Sequence, residues 1–340
     1  MAKHIITLII LIGLIAALVL GTEMAQIRLL DRIATHLCIS LILVLGLQVF
    51  MGNSGILSFA HIGFMGVGAY VSAVLTIPVQ MKGMALPDLY PWLAQLAFSP
   101  YVGIILGGLA AAAVAAALSY PLMRLSDAAA VITSFALLVV LHTVMLHWSE
   151  FTNGPRTLFG IPKATDLYLA ATVAALAVVV ALLFKESRTG ILLRASRDDE
   201  IAAGALGAHV PSLRWQAFIL SALFAGIGGA LWGHFITSFS PKAFYLKETF
   251  VILGMLVIGG PYTISGAVFG AFIVTFAFEG LRALEAGINQ AQIFSEQVVG
   301  LTEIVLALAM IAVLILRPGG LFTAREIGAL LIPRRKQPKN

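Results

Sequence analysis

Long apolar segments recur along this 340-residue chain from one end to the other. Hydrophobic residues make up 60% of the sequence and charged residues only 11%. A helix of about 20 apolar residues crosses the ~30 Å hydrocarbon core of a bilayer and satisfies its own backbone hydrogen bonds. The pattern therefore predicts an all-α, polytopic membrane protein and excludes a soluble globular core.

The apolar runs predict about ten transmembrane spans. The run at 248–261 is short and ends in Gly259, Gly260 and Pro261, which indicates a short or broken helix shielded by protein. The first run lacks a small-x-small cleavage site, so we interpret it as a retained span and not as a signal peptide. The spans are expected at residues 4–21, 33–51, 55–77, 101–121, 127–148, 167–185, 212–238, 248–261, 264–284 and 298–316.

Charged residues are concentrated in one internal segment, residues 186–211. Its composition favours a short helix, with Ser196 or Asp198 as the N-cap and Gly207 at its end. If the N-terminus is cytoplasmic, this segment falls on the same side as most of the 21 Lys and Arg residues. Both termini are then cytoplasmic.

The chain is predicted to be one transmembrane domain, residues 1–330, followed by a basic cytoplasmic tail at 331–340. The net charge of +5 is explained by membrane topology and by contact with anionic lipid. No soluble basic domain is present that would indicate a nucleic-acid partner.

The sequence indicates no chemistry of its own. Cys38 is the single cysteine, and His142 and His147 point to different faces of a helix, so we expect no metal site. No Walker A pattern occurs, so any ATP must be bound by another polypeptide, and we expect neither a cofactor nor a catalytic residue. Glu279 and Arg282 have the i, i+3 spacing of an ion pair.

Residues 52–70 place glycines together with Asn53, Ser54, Ser58 and His61 inside apolar sequence. Small and hydrogen-bonding residues are needed where helices touch closely or where the backbone unwinds. These four residues are candidates for a substrate pathway, with tight packing and a structural histidine as the alternatives. Three glycine pairs at GxxxG spacing predict close helix packing: Gly103/Gly107, Gly229/Gly233 and Gly266/Gly270.

Five segments resemble known transporters. The pattern E-x-A-A-x-x-x-G at Glu200, Ala202, Ala203 and Gly207 is similar to the coupling loop of bacterial ABC importer permeases. Four others resemble, in order and spacing, the LivM-type permease subunits of the branched-chain amino acid ABC transporter family. They are GNSGILSFAHIGFMGVGAY (52–70), TNGPRTLFGIP (152–162), SPKAFYLKETF with GGPYTISGAVFGA (240–271) and LRPGGLF (316–322).

The resemblance implies an importer for branched-chain or related amino acids in the bacterial inner membrane. It implies a second permease subunit of LivH type, two cytoplasmic ATP-binding subunits and a periplasmic substrate-binding protein. It further implies that Thr152 and Asn153 join Asn53, Ser54, Ser58 and His61 on the substrate pathway. The residues implied in coupling to the ATPase are Arg197, Asp198, Glu200, Ala202, Ala203 and Gly207.

Three alternatives stay open. Urea, short amides and aromatic acids are other cargoes for the same architecture. A secondary transporter would require repeated halves or a carboxylate in mid-membrane, which the sequence does not display. An intramembrane serine protease is suggested by the G-x-S-G match around Ser54, but His61 follows only seven residues later. Neither of the last two classes explains the charged segment at 186–211.

Overall fold

The computed structural model describes residues 2–125, 127–290, 300–317, 319–322 and 326–328. The predicted tail at 331–340 lies outside these residues. Within them the backbone forms α-helices and two short 3-10 turns, Leu122–Arg124 and Pro241–Ala243. The helices are α1 (Ala2–Ala25), α2 (Arg28–Ser54), α3 (His61–Thr76), α4 (Val79–Ala85), α5 (Pro91–Ala94), α6 (Pro100–Ser119), α7 (Asp127–His147), α8 (Ser149–Thr152), α9 (Leu167–Glu186), α10 (Arg188–Asp198), α11 (Glu200–Ala205), α12 (Val210–Ile236), α13 (Leu246–Gly259), α14 (Ile264–Gln290) and α15 (Leu301–Leu316).

The helices confirm a polytopic all-α membrane protein. Seven of the described helices are long and apolar enough to cross a membrane, namely α1, α2, α6, α7, α9, α12 and α14. Helices α3 and α15 are apolar but contain 16 residues each, and α13 contains 14. The short helix predicted before Gly260 is therefore present as α13. The total of ten spans stays a prediction.

The span predicted at 55–77 begins too early. Helix α2 ends at Ser54, and Gly55 caps it in the left-handed region, with φ 75° and its amide donating to the Met51 carbonyl oxygen at 2.9 Å. The chain then stays outside any helix until α3 begins at His61. Hydropathy alone does not register this break, because Ile56, Leu57 and Phe59 keep the segment apolar.

The centre of the fold is α2 with α3, α6 and α12 packed together. Small residues allow backbones to approach where three of these helices cross. A Cβ atom at Gly68 of α3 would lie 2.2 Å from the Gly226 carbonyl oxygen of α12, and one at Gly107 of α6 would lie 2.6 Å from the Gly68 carbonyl oxygen. No side chain fits there, so dense helix packing explains the Gly103/Gly107 pair.

Helix α2 defines two ends of the bundle. Its 27 residues extend about 40 Å at 1.5 Å per residue. One end contains Ser54 together with α10 and α11, and we refer to it as the α10 end. The other contains the first turns of α2 and the last turn of α12, and we refer to it as the far end.

Candidate functional site

The charged segment at the α10 end folds as two helices and not as one. The Ser187 hydroxyl caps α10 by accepting a hydrogen bond from the Gly190 amide at 3.2 Å. Asp199 has extended backbone and caps α11, its Oδ1 accepting from the Ala202 amide at 2.9 Å. The prediction of Ser196 or Asp198 as the cap is wrong, because both residues are helical members of α10.

Arg197 points from α10 into the bundle. Its guanidinium donates to the Gly52 carbonyl oxygen of α2 at 2.9 Å and lies 4.7 Å from the centre of the Tyr262 ring. It also contacts Asp198 Oδ1 at 3.1 Å. A cation is favoured at the carbonyl end of a helix, where carbonyl groups lack partners. Arg197 therefore joins α10 to the end of α2 within this chain.

Arg194 makes the same connection one turn earlier. Its Nη1 donates to Asn53 Oδ1 at 3.3 Å and to the Lys185 carbonyl oxygen. The Lys185 ammonium donates to the Tyr262 carbonyl oxygen at 3.1 Å and forms an ion pair with Glu326. These contacts link the end of α9, the end of α2 and the loop between α13 and α14.

Glu326 completes this polar network by capping α14. Its carboxylate accepts hydrogen bonds from the Ile264 amide at 2.9 Å, the Ser265 amide at 3.0 Å and the Ser265 hydroxyl at 2.6 Å. Burial by itself would raise the pKa of the Glu326 carboxyl, but the Lys185 ammonium and the hydrogen bonds from Lys185 and Ser265 outweigh burial and hold the pKa below its usual value. Glu326 is thus held as a carboxylate.

Glu200 anchors α11 to its own chain. Its carboxylate lies 2.7 Å from the buried guanidinium of Arg214 in the first turns of α12. Arg214 also donates to the Leu125 carbonyl oxygen at 3.3 Å, just before α7. These contacts join α11 to α12 and to the connection between α6 and α7.

The outer side of α11 is apolar and uncovered. Ile201 and Leu206 are 87% and 85% exposed. A Cβ atom added at Gly204 or Gly207 would meet nothing within 4 Å. Ala203, in contrast, is buried. We define the α11 surface by the exposed apolar residues of α11 and of the turn that follows it: Ile201, Ala202, Gly204, Ala205, Leu206 and Gly207.

Asn53 and Ser54 both lie in the last turn of α2. Asn53 Nδ2 donates to the Val49 carbonyl oxygen at 2.9 Å. Ser54 Oγ donates to the Phe50 carbonyl oxygen at 2.8 Å and accepts from the Ile56 amide at 3.2 Å. The Ser54 hydroxyl is therefore engaged with backbone groups, in contrast to a serine nucleophile, which is bound to a histidine.

His61 is buried and bonded to a different serine. Its Nε2 contacts Ser221 Oγ, and Ser221 Oγ contacts the Gly46 carbonyl oxygen. A carbonyl oxygen only accepts, so the Ser221 hydroxyl donates to Gly46 and accepts from His61 Nε2–H. Phe50 and Phe218 enclose the ring, with centroids 6.0 and 5.3 Å away. The arrangement fits a histidine that ties α3 to α12.

Ser58 lies in the irregular segment between α2 and α3. Its hydroxyl is buried and has no hydrogen-bond partner among the described residues. It lines a narrow cavity together with Phe50, Met123, Ser134 and Phe218. The cavity volume is about 10 Å³, so this gap beside α2, α7 and α12 has room for no more than a single water molecule.

Thr152 and Asn153 lie at the far end, away from the other pathway candidates. Thr152 Oγ1 donates to the Met145 carbonyl oxygen at 2.7 Å, and Asn153 caps α8 with φ 64°. Ser134, near the other end of α7, contacts the Phe59 amide at 3.2 Å. The run of α7 between Ser134 and its last residue is about 20 Å long. The predicted pathway set therefore divides between the two ends.

One polar link at the far end was missed by sequence reasoning. His234 is fully buried, and its Nδ1 lies 2.9 Å from the Pro162 carbonyl oxygen. Since that oxygen only accepts, Nδ1 carries the proton and Nε2 accepts from the Ser72 hydroxyl at 2.9 Å. The same signal that drew attention to His61, an ionisable residue in an apolar run, would have identified it.

No cluster of three or more His, Cys, Asp or Glu side chains in the described ranges is placed to hold a metal ion. The geometry is that of a helical bundle with an uncovered apolar surface, the α11 surface, at one end. Ion pairs and hydrogen bonds join α10 and α11 to α2 and α12.

Comparison with known proteins gives one matching family model and three similar proteins. A family model described as "Branched-chain amino acid transport system / permease component" matches residues 29–314. The high-affinity branched-chain amino acid transport system permease proteins LivM of Salmonella typhimurium and Escherichia coli are each 28% identical over 284 residues, which is 74% of this chain and 63% of theirs. The nucleoside ABC transporter permease protein NupC of Lactococcus lactis is 28% identical over 224 residues, 62% of this chain and 69% of its own.

The chain thus spans about 63% of the length of the LivM proteins that it matches. No solved structure matches it.

Proposed function

The chain belongs to the permease component family of branched-chain amino acid transport systems, and from that premise we propose that it is a transmembrane subunit of an ABC importer for branched-chain or related amino acids. The proposed cargo follows the names of the LivM relatives. Transport of this kind changes the side of the membrane to which the substrate pathway is open. It breaks no covalent bond in the substrate. ATP would be bound and hydrolysed by partner subunits.

The α11 surface is the observation that carries this proposal. Two large apolar side chains, Ile201 and Leu206, are almost completely exposed beside the charged groups Asp198, Asp199 and Glu200. Exposed apolar residues rimmed by charge are typical of a protein contact. An ATP-binding subunit is the partner that an importer permease requires there.

Movement of that partner would reach the bundle along two routes. One runs from Glu200 to Arg214 and so to α12. The other runs from Arg197 and Arg194 to the last turn of α2. Because α2 then breaks between Gly55 and Ala60, a shift of its end can alter which side of the bundle is open.

The wider complex follows from the family. We propose a second permease subunit of LivH type, two ATP-binding subunits and a periplasmic substrate-binding protein as partners. The protein would lie in the bacterial inner membrane with both termini in the cytoplasm. The basic residues of the α10 end, among them Lys185, Arg188 and Arg194, support a cytoplasmic position for that end. The exposed Arg188 would be available to anionic lipid.

A nucleoside cargo is a second candidate, because the Lactococcus relative is named for nucleosides. Urea, short amides and aromatic acids are further alternatives. Uptake of L-leucine, uridine and urea by the purified complex in proteoliposomes separates these cargoes directly.

Gly204→Trp tests the partner contact. Gly204 has open space around it, so a large side chain should block a partner without disturbing the chain's own packing. It is a cleaner site than Gly207, whose φ of 84° disfavours any side chain. We expect Gly204→Trp to remove most of the ATPase activity that co-purifies with the chain. Substrate uptake by the complex should fall to a similar extent.

Gly83→Trp is the matched control. Gly83 is also helical and also has open space around it, but it lies in α4, outside the α11 surface. This variant should retain both activities. Undiminished ATP hydrolysis and uptake in Gly204→Trp would contradict the assignment of the α11 surface.

A further inference from the structure

Two adjoining cavities open at the far end between α2, α12, α13 and α14. Their volumes are about 470 and 190 Å³, and both are lined by His36, Glu248, Glu279 and Arg282. Ligand sites typically occupy about 300–1,000 Å³. The larger cavity therefore has room for a small solute, and we refer to the pair as the far-end cavity.

Charges of both signs face the far-end cavity. Glu248 and Glu279 are half-buried, whereas Arg32 and Arg282 are exposed at its mouth. The ion pair expected from the spacing of Glu279 and Arg282 is not formed, and no ion pair within the described ranges includes any of these four residues. The acidic and basic groups are equal in number.

The remaining charges at this site are already compensated. Lys247, which lines the smaller cavity, lies 2.7 Å from Glu303. Charged side chains in transmembrane helices are costly unless a partner or a solute neutralises them. Two carboxylates and two guanidiniums left facing one space therefore point to a ligand that has both charges.

The cavity wall also has an apolar part. Ile33, Trp232 and Phe235 line the larger cavity. We propose that the far-end cavity binds a zwitterionic α-amino acid with an apolar side chain. Its carboxylate is bound by Arg32 and Arg282, its ammonium by Glu248 and Glu279, and its side chain packs on the aromatic rings. This assignment rests on the proposed function.

The position of the cavity agrees with that role. His36 and Ser54 lie about 27 Å apart along α2, so the cavity is far from α10 and α11. A solute that arrives from outside meets this end first if the α10 end is cytoplasmic. A solute without charged groups would form no ion pair with any of the four residues, and an anionic head group would pair only with the arginines.

Calorimetric titration of the full chain in lipid nanodiscs tests the site with three probes. L-leucine has both charges, isoamylamine lacks the carboxylate, and 4-methylpentanoate lacks the ammonium. We expect binding of L-leucine at millimolar concentration and no comparable binding of the other two. Arg282→Gln and Glu248→Gln should each weaken leucine binding at least about tenfold, as expected for the loss of a charged hydrogen-bond partner.

Lys242→Gln is the control, because it removes a charge from an exposed residue of the same region that does not line the cavity. It should leave leucine binding unchanged, and unaltered thermal unfolding of the Arg282 and Glu248 variants shows that they are folded. Equal binding of isoamylamine or 4-methylpentanoate, or leucine binding that is unchanged in the Arg282 and Glu248 variants, overturns the site. If the complex takes up leucine while the chain does not bind it, the site fails and the proposed function stands. If the chain binds leucine in this charge-dependent way but the complex transports none, the site stands and the proposed function fails.

Discussion

The α10 end and the far end both concentrate charge in an apolar bundle, but they place it differently. At the α10 end, Arg197, Lys185 and Arg214 each contact a partner within the chain, and the α11 surface is apolar. At the far end, two carboxylates and two guanidiniums face a cavity and form no ion pair with a described residue. Charge at one end holds helices together, and charge at the other is available to a solute.

This difference follows from what a membrane allows. Lipid provides no hydrophobic force between helices, so contacts between polar groups and close packing must fix their positions. The network around Lys185 and Glu326 fixes the ends of α9, α2 and α14 with respect to α10. A surface that must transmit a push from a partner needs such fixed contacts, whereas a binding site needs charges that are not already neutralised.

Glu326→Ala should give the largest effect on stability. It leaves the Lys185 ammonium buried without its carboxylate and removes the cap of α14. Breaking a buried ion pair in this way lowers the free energy of unfolding by about 3–5 kcal/mol. Glu279→Ala removes the same charge at the far end, where no ion pair holds it, and should cost no more than about 0.5 kcal/mol. Unfolding of both variants in the same detergent, followed by circular dichroism, measures the contrast. Equal losses in the free energy of unfolding would show that the carboxylates at the two ends contribute equally to stability.

His234→Ala should give an intermediate effect and sharpen the description of the far end. The buried ring joins Ser72 of α3 to the Pro162 carbonyl oxygen, and its loss leaves both groups without a partner. We expect a cost of about 1–3 kcal/mol in the free energy of unfolding. Ser72→Ala removes only one of the two hydrogen bonds and should cost less. A silent His234→Ala would mean that the far end is not held by this link.

Much of the fold was predictable, because a chain in lipid must satisfy its backbone within helices and the apolar runs show where they lie. A break between the second and third spans was predicted at residues 52–54, but its position was wrong: α2 continues to Ser54, and the non-helical segment is 55–60, where apolar residues conceal it from hydropathy. The EAA-like pattern predicts a coupling role for the segment that contains α11, but it did not show that Arg197 turns inward to Gly52.

The site was less predictable than the fold, because its contacts join distant parts of the sequence. His61 meets Ser221, and Asn53 meets Arg194, at separations of 160 and 141 residues. Residues that are close in sequence between Asn53 and His61 therefore act with different partners. The far-end cavity draws its charges from three separate helices, and no local motif marks such a set.

Arg197→Lys should give the smallest effect and decides whether Arg197 docks a partner or transmits its movement. Lysine keeps the positive charge near the Gly52 carbonyl oxygen, but it loses the planar contact with Tyr262 and the second contact to Asp198. A loss of about 0.5–1 kcal/mol is expected, equivalent to roughly a two- to fivefold change in a coupling equilibrium. ATPase activity that co-purifies with the complex should persist, whereas uptake per ATP hydrolysed should fall by that factor.

Arg188→Lys is the control, since Arg188 is exposed on the same helix, and it should change neither quantity. Loss of co-purifying ATP hydrolysis in Arg197→Lys would place Arg197 on the partner contact, and the inward connection from α10 to α2 would then not be the route by which movement reaches the bundle.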